Sequence, residues 1–410
     1  MKIIRILCRL IIGLTFIFSG FVKLVSPVGT GLIVGEYFKM FHLTFLDPLA
    51  IYLGMFLSVL EFVIGTSVLI GYKLKLFVKI GFWLTACFTL ITLISAITGK
   101  MADCGCFGEA VHLTSWQTFW KNVILMACYT ALLLQSRRFV PAGPPFVEWG
   151  YMGLFIALSF YIALYSVFYV PFVEFTAYKI GADIEESNNQ QIEYETVFIY
   201  EKDGVKEEFS LEALPDSTWT FVDAVTAGGE NTQDLTDFRV FDQDGEDFTE
   251  DILGTDKVIL LNIYNGSRID DNEWKIIEDF GNRAANSGFR FAMVSLPGDE
   301  DVPDILPEYR LYGDKKMLMT LNRSNGGATY MNNGVITDKW ARLNLADVDT
   351  DEVYNADNDV LIVQNTILQR QMLVFSIAVL IGIMLIMRYF SNAFYIRKKK
   401  NTKNPEKNEK

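Results

Sequence analysis

Six stretches of the chain are almost unbroken runs of apolar residues: 3–22, 49–71, 76–97, 117–136, 149–170 and 373–391. Each is about 19 to 23 residues long, and about 20 are needed for a helix to cross a ~30 Å hydrocarbon core. Backbone groups there have no water to bond, so such runs are expected as helices. The pattern predicts six membrane-spanning helices. Between the fifth and sixth runs the pattern changes. "YETVFIYE" and "VKEEFSLE" predict a hairpin around "KDG", and "KVILLNIY" (257–264) predicts a strand buried on both faces. "DNEWKIIEDFGNRAANSG" follows as an amphipathic helix ending at Gly288, then "FRFAMVSL" (289–296) as the next buried strand. Such a β-α-β unit implies parallel strands. "MLMTLNRS" fits a helix end or a strand, and "ATYMNNGVITDKW" a hairpin turning on Asn333-Gly334.

Charge sharpens this division. Residues 172–370 carry 41 acids and 16 bases, a net of −25, and the remainder carries 8 acids and 20 bases, a net of +12. The bases of the apolar part cluster at Lys2, Arg5 and Arg9, at Lys73, Lys75 and Lys79, at Arg137 and Arg138, and at Arg388 and Arg397–Lys400. With six spans all four clusters fall on one side, which the positive-inside rule makes cytoplasmic. The expected protein is a multi-pass membrane protein, with both termini cytoplasmic and its acidic domain on the opposite side. No small-x-small cleavage site follows the first run, so it is kept as a span rather than a signal peptide. "PAGPP" (141–145) breaks the chain before the fifth span. The acidic outer part has no basic face and would repel nucleic acid.

The candidate chemistry is sparse. Of five cysteines, Cys8, Cys87 and Cys128 fall within helices as apolar filler. Cys104 and Cys106, in "MADCGCFGEA", lie in a loop facing the oxidising side. A Cys-x-Cys pair is close enough to bridge, in a strained and labile ring suited to exchange. The alternatives are an inert bridge or, less well matched in ligand number, a metal site; no metal is expected. Nothing in their spacing requires Cys87 and Cys128 to meet. Glu61 sits in mid-span, where a carboxylate is costly and a functional candidate. Lys23 is its tempting partner, but it is placed at the outer end of the first helix and Glu61 about 20 Å deep. Both are candidate cofactor-binding residues. Thr85, Thr89, Thr92 and Ser95 fit close helix packing. Trp116, Trp120 and Trp149 fit interfacial anchoring. His42 and His112 fall in outer loops.

Over residues 1–140 the chain resembles the MauE/DoxX group of bacterial membrane proteins, through "FIFSGFVKL", "EFVIGTSVLIGY" and "DCGCFG". That group is likened to vitamin K epoxide reductase, a four-helix bundle passing electrons between thiols and quinone. The resemblance implies Cys104 and Cys106 as catalytic residues, a quinone as cofactor and a periplasmic thiol or thioredoxin-like protein as partner. Residues 235–345 resemble a thioredoxin-like domain that has lost its chemistry. "NGSRIDDNEW" stands where a Cys-x-x-Cys is expected, and "NGGATY" lacks the proline before the hairpin.

The expected architecture is an α-helical polytopic bundle of six transmembrane helices, the first four DoxX/MauE-like, with an α/β thioredoxin-like extracytoplasmic domain before the last helix. In order, it comprises the four-helix domain (1–140), a fifth helix (141–171), an acidic β-rich segment (172–234), the thioredoxin-like domain (235–345), a linker (346–372), the sixth helix (373–391) and a basic tail (392–410). The expected function is thiol-disulfide/quinone exchange through Cys104 and Cys106. The alternative is a non-enzymatic, membrane-anchored scaffold.

Overall fold

The computed structural model describes residues 2–99, 105–111, 113–139, 143–185, 195–202, 205–209, 220–227, 238–306 and 310–403. The apolar runs fold into helices α1 (Lys2–Val25), α3 (Ala50–Ile70), α4 (Leu74–Thr98), α5 (Ser115–Leu134) and α6 (Pro145–Phe168). Five described segments are long and apolar enough to cross a membrane: Ile3–Val25, Thr44–Ile70, Leu74–Thr98, Pro145–Phe168 and Asn358–Phe390. α5, over the fourth expected span, is 20 residues long and falls outside this group. Gln117, Lys121 and Asn122 dilute its first half. It is capped by Thr114, whose hydroxyl accepts the Gln117 amide at 3.2 Å while the Gln117 side chain accepts that of Thr114.

The helices share one core, in which Ile12, Phe62, Ile64, Val68, Tyr129, Leu132 and Phe155 are fully buried. α1 and α3 form its closest pair. A Cβ built on Gly20 would stand 2.5 Å from the Phe62 amide nitrogen, so only glycine admits this approach.

Residues 24–48, between the first two apolar runs, carry α2 (Pro27–Met40). α1 does not continue straight past Val25. It breaks at Ser26, and Pro27 opens the next helix in the first-turn position that tolerates its missing N–H. The break is tight: Ser26 N bonds Val22 O at 3.1 Å and Thr30 N bonds Ser26 O at 3.1 Å. α2 continues outward along the first half of α3, so residues near the end of α1 lie well inside the bundle.

The polypeptide after α6 forms two sheets. β1 (Glu195–Lys202), β2 (Val205–Phe209) and β3 (Thr220–Ala227) make an antiparallel sheet in the order β2-β1-β3, so the expected first hairpin is present. A six-stranded mixed sheet stands where the thioredoxin-like domain is expected. Its strands are β4 (Val240–Phe241), β5 (Val258–Ile263), β6 (Arg290–Ser295), β7 (Arg310–Gly313), β8 (Gly327–Asn332) and β9 (Val335–Trp340), in the order β4-β7-β6-β5-β8-β9. α7 (Thr249–Leu253) precedes β5. α8 (Asp271–Ser287) joins β5 to the parallel β6 and starts with a capping box between Asp270 and Glu273. β5 is buried at every position. β8 and β9 turn on Asn333 (φ 46°) and Gly334 (φ 74°), the positive pair a two-residue hairpin needs. "MLMTLNRS" contributes to a helix, α9 (Lys315–Leu321), capped by Asp314.

The expected linker 346–372 is largely helical. It holds α10 (Thr350–Asn355) and the first turns of α11 (Asn358–Lys403), a single 46-residue helix that takes in the sixth expected span. Asn358 is tied into the sheet domain, where its side chain accepts the Tyr330 hydroxyl at 2.6 Å. The polar residues Gln364, Gln369 and Arg370 do not stop the helix, because straight-chain polar side chains cost it little.

Candidate functional site

α1 places Ser19, Lys23 and Ser26 on one face, three or four residues apart. α3 supplies Glu61. The register of α1 against α3, with Gly13 facing Leu69 and Gly20 facing Phe62, puts Lys23 beside Glu61. Lys23 Nζ donates to Glu61 Oε1 at 2.8 Å and Oε2 at 3.0 Å. Both residues are buried, with 7% and 3% of their surface exposed. The expected depth gap, which the lysine was not clearly able to close, is therefore corrected: the side chains meet directly. Lys23 also lies 5.9 Å from the centre of the Phe88 ring.

The loop after α4 closes onto this pair. The Ser19 hydroxyl lies 2.6 Å from Glu61 Oε2 and 2.5 Å from the carbonyl oxygen of Cys106. The loop turns at Gly105 (φ 60°), packed so close to Ile33 of α2 that a Cβ would stand 2.4 Å from the Ile33 Cδ1. Cys106 is half-buried. Cys104 and His112 lie outside the described residues.

Lys23, Glu61, Gly105 and Cys106 all border one cavity of about 230 Å³. Its other walls are mainly apolar and come from α2 (Ile33, Val34, Tyr37, Phe38), α3 (Leu53, Leu57) and α4 (Phe88, Ile91). The arrangement is a small oily chamber with one ammonium–carboxylate pair and one thiol-bearing loop on its wall. A buried ammonium so placed can donate to a carbonyl oxygen of an apolar guest. The adjoining carboxylate holds that ammonium in place.

The same loop reaches the sheet domain. Glu109 accepts the Ser26 hydroxyl at 2.7 Å and pairs with Arg323, which follows α9. Two further pairs span the gap, Lys316 with Glu36 of α2 at 2.8 Å and Lys339 with Glu174 at 2.7 Å. Lys339 is fully buried, which pushes its ammonium pKa down, and the Glu174 carboxylate opposes that shift. The segment in place of a Cys-x-x-Cys, Asn265-Gly266-Ser267-Arg268, makes a tight turn at the end of β5. It is tied by Asn325, whose side-chain oxygen accepts the Tyr264 and Asn265 amides at 2.9 and 3.1 Å.

Sequence reasoning named Cys106, Glu61 and Lys23, and the structure gathers them. It missed Ser19, Ser26, Arg323, α2 and the partners of Glu109. The spacing of Ser19, Lys23 and Ser26 was an available signal, a polar stripe in an otherwise apolar helix. Arg323 had none. Cys128 hydrogen-bonds Cys8 of α1, while Cys87 is exposed. Thr85, Thr92 and Ser95 are buried, with Ser95 and Ser115 2.9 Å apart between α4 and α5, whereas Thr92 borders the cavity. Trp116, Trp120 and Trp149 are exposed, and His42 is exposed just beyond α2.

Residues 1–135 match the family model described as methylamine utilisation protein MauE. Residues 194–227 match a model described as a domain of unknown function. No curated protein and no solved structure matches the chain. The first third of the chain is thus MauE-like, in a protein with several helices fit to cross a membrane.

Proposed function

For a membrane protein with a MauE-like bundle, we propose a thiol-disulfide oxidoreductase role in which Cys104 and Cys106 exchange electrons between a periplasmic thiol partner and a quinone in the Lys23–Glu61 chamber. The observation that carries it is that the Cys106 loop and a buried ammonium–carboxylate pair border one apolar cavity. The cavity is smaller than the ~300–1,000 Å³ of drug-sized sites. It therefore suits a ring-sized head with its tail in the bilayer. Such a group takes up two electrons and two protons, the amount released when two thiols become a disulfide.

The chain's own part is then clear. Lys23 orients an acceptor oxygen, Glu61 holds that ammonium in place, and the apolar walls exclude water. On the outer side, a thiolate of the Cys104–Cys106 pair attacks a partner disulfide. The mixed disulfide is resolved by the second cysteine, leaving the chain oxidised and the partner with two thiols. The reverse sequence reduces the chain. In this reading α5 completes a set of six spans, with the basic clusters cytoplasmic and the acidic domain periplasmic. The mixed sheet is a thioredoxin-like domain without thiols, and it positions the loop through Arg323 and Glu109.

Differential alkylation of Cys104 and Cys106 in cells, with the quinone pool held oxidised or reduced, tests the proposal. The pair should follow the pool, and purified protein should yield extractable quinone. A pair fixed in one state, with no quinone extracted, removes the proposal. A second reading has its own support: no cysteine stands between Asn265 and Arg268, and three ion pairs seat the sheet domain on the bundle. That favours a scaffold, and a double Cys104→Ser/Cys106→Ser variant with unaltered cells would select it.

A further inference from the structure

The opposite end of the bundle gathers arginines that no described carboxylate pairs. The last carbonyls of any helix lack intrahelical donors, and those of α3 are met from both ends of the chain. Arg9 donates from Nε to Val68 O and from Nη2 to Leu69 O, each at 2.9 Å. Arg388, on α11, donates from Nη1 to Ile70 O at 3.2 Å. Two guanidiniums therefore sit on three consecutive carbonyls of one helix. Arg5, one turn before Arg9, and Arg388 are both near enough to repel Arg9.

Capping accounts for part of this, since cationic side chains favour a helix C-terminus. It does not account for crowding three of them. Each guanidinium carries about five N–H donors, and among the described residues the bonds to Val68, Leu69 and Ile70 engage only three in all. No described carboxylate pairs with any of the three arginines. The acid at this end, Glu148, pairs with Lys73 at 3.4 Å, and that ammonium lies 5.0 Å from the centre of the Trp149 ring. Apolar residues flank the arginines on their own helices: Ile4 and Leu7 on α1, Leu385 and Ile386 on α11, all exposed, with exposed Tyr389 and Phe390 just beyond. Aromatic residues of this kind mark the headgroup level.

We infer that Arg5, Arg9 and Arg388 form a binding site for the phosphodiester headgroup of an anionic phospholipid, whose acyl chains lie along α1 and α11. Guanidinium and phosphate match in charge and in paired hydrogen-bond geometry, and basic pockets between helices at this level hold such headgroups. The bound lipid joins α11 to the MauE-like bundle. The described protein contacts there are modest: Leu380, Ile383, Met384 and Met387 pack on the core, and the Tyr72 hydroxyl donates to Met387 O at 2.9 Å.

The test uses the full chain in detergent, melted with added phosphatidylglycerol, phosphatidylcholine or inorganic phosphate, and native mass spectrometry for retained lipid. Phosphatidylglycerol should raise the melting temperature well beyond phosphatidylcholine, with inorganic phosphate inactive. An Arg5→Gln/Arg388→Gln variant, which keeps the Arg9 cap, should lose at least about half of that shift and its retained anionic lipid. If that variant fails to fold, Arg5→Gln alone serves, because Arg5 makes none of the bonds to α3. A Lys398→Gln/Lys399→Gln/Lys400→Gln variant should keep the shift. Equal shifts in wild type and arginine variants, loss only in the tail variant, or an equal effect of inorganic phosphate overturns the inference.

Discussion

Lys23 and Glu61, on different helices, meet at 2.8 Å inside the bundle, and neither has an appreciable path to water. Breaking such a pair from one side leaves an uncompensated charge, at a cost of about 3–5 kcal/mol. Lys23→Met and Glu61→Leu should each lower the melting temperature strongly in detergent, and the double variant should recover much of the loss. Additive losses would show that the two residues do not act as a pair.

Gly20 sets the distance that allows this contact. Its missing Cβ makes room for the Phe62 backbone, which cannot give way as a flexible side chain can. Gly20→Val should cost at least about 1–3 kcal/mol and separate Lys23 from Glu61. The check is whether Glu61→Leu adds little in the Gly20→Val background. A full additional loss would place the crossing elsewhere.

Asp338 on β9 makes a pH-dependent contribution. Burial pushes its carboxyl pKa up to about 6, against the opposing bonds from the Lys339 amide and Asn365, and Glu174 adds to the rise. Between the ordinary carboxylate value near 4 and about 6, the folded chain holds a proton that the unfolded chain has released. Stability from this group is therefore complete below about pH 4 and is lost as pH rises through about 6. Asp338→Asn should flatten the stability profile of the sheet domain between about pH 4 and 7 and stabilise it at pH 8 by up to about 3 kcal/mol. An unchanged profile in chemical denaturation would remove Asp338 as its source.

Much of the fold was legible in the chain because it rests on local patterns. The unbroken run 257–264 became β5, the Asn333-Gly334 pair made its hairpin, and Gly288 ended α8 in a left-handed conformation. What escaped was long-range or weakly patterned. α2 has a proline, three glycines, Glu36 and Lys39 in 14 residues, so its helical apolar face was hidden. Missing it made α1 seem to reach the surface and set Lys23 too far out. Arg323 is an ordinary surface cation until the sheet domain is seated, when it becomes the partner of Glu109 across 214 residues.

That pairing has its own test. Glu109 holds Ser26 and Arg323 together just after Cys106, so it fixes the loop from both sides. Arg323→Met should loosen the loop and speed maleimide labelling of the half-buried Cys106, in a Cys104→Ser background, by at least about threefold, since local opening governs such access. Unchanged labelling would mean that the loop is held by the bundle alone.

α11 gives the molecule a lever. Forty-six residues at ~1.5 Å each make a rod about 69 Å long, more than twice the thickness of the bilayer core. Its start is fastened to the sheet at Tyr330, and its later turns to the end of α3 at Ile70 and to Tyr72. Tilting the sheet domain by about 5° would swing Arg388, some 45 Å along the rod, by about 4 Å. A rigid α11 would thus turn a small rotation of the sheet domain into a displacement at the α3 end of the bundle, where Arg388 meets Ile70.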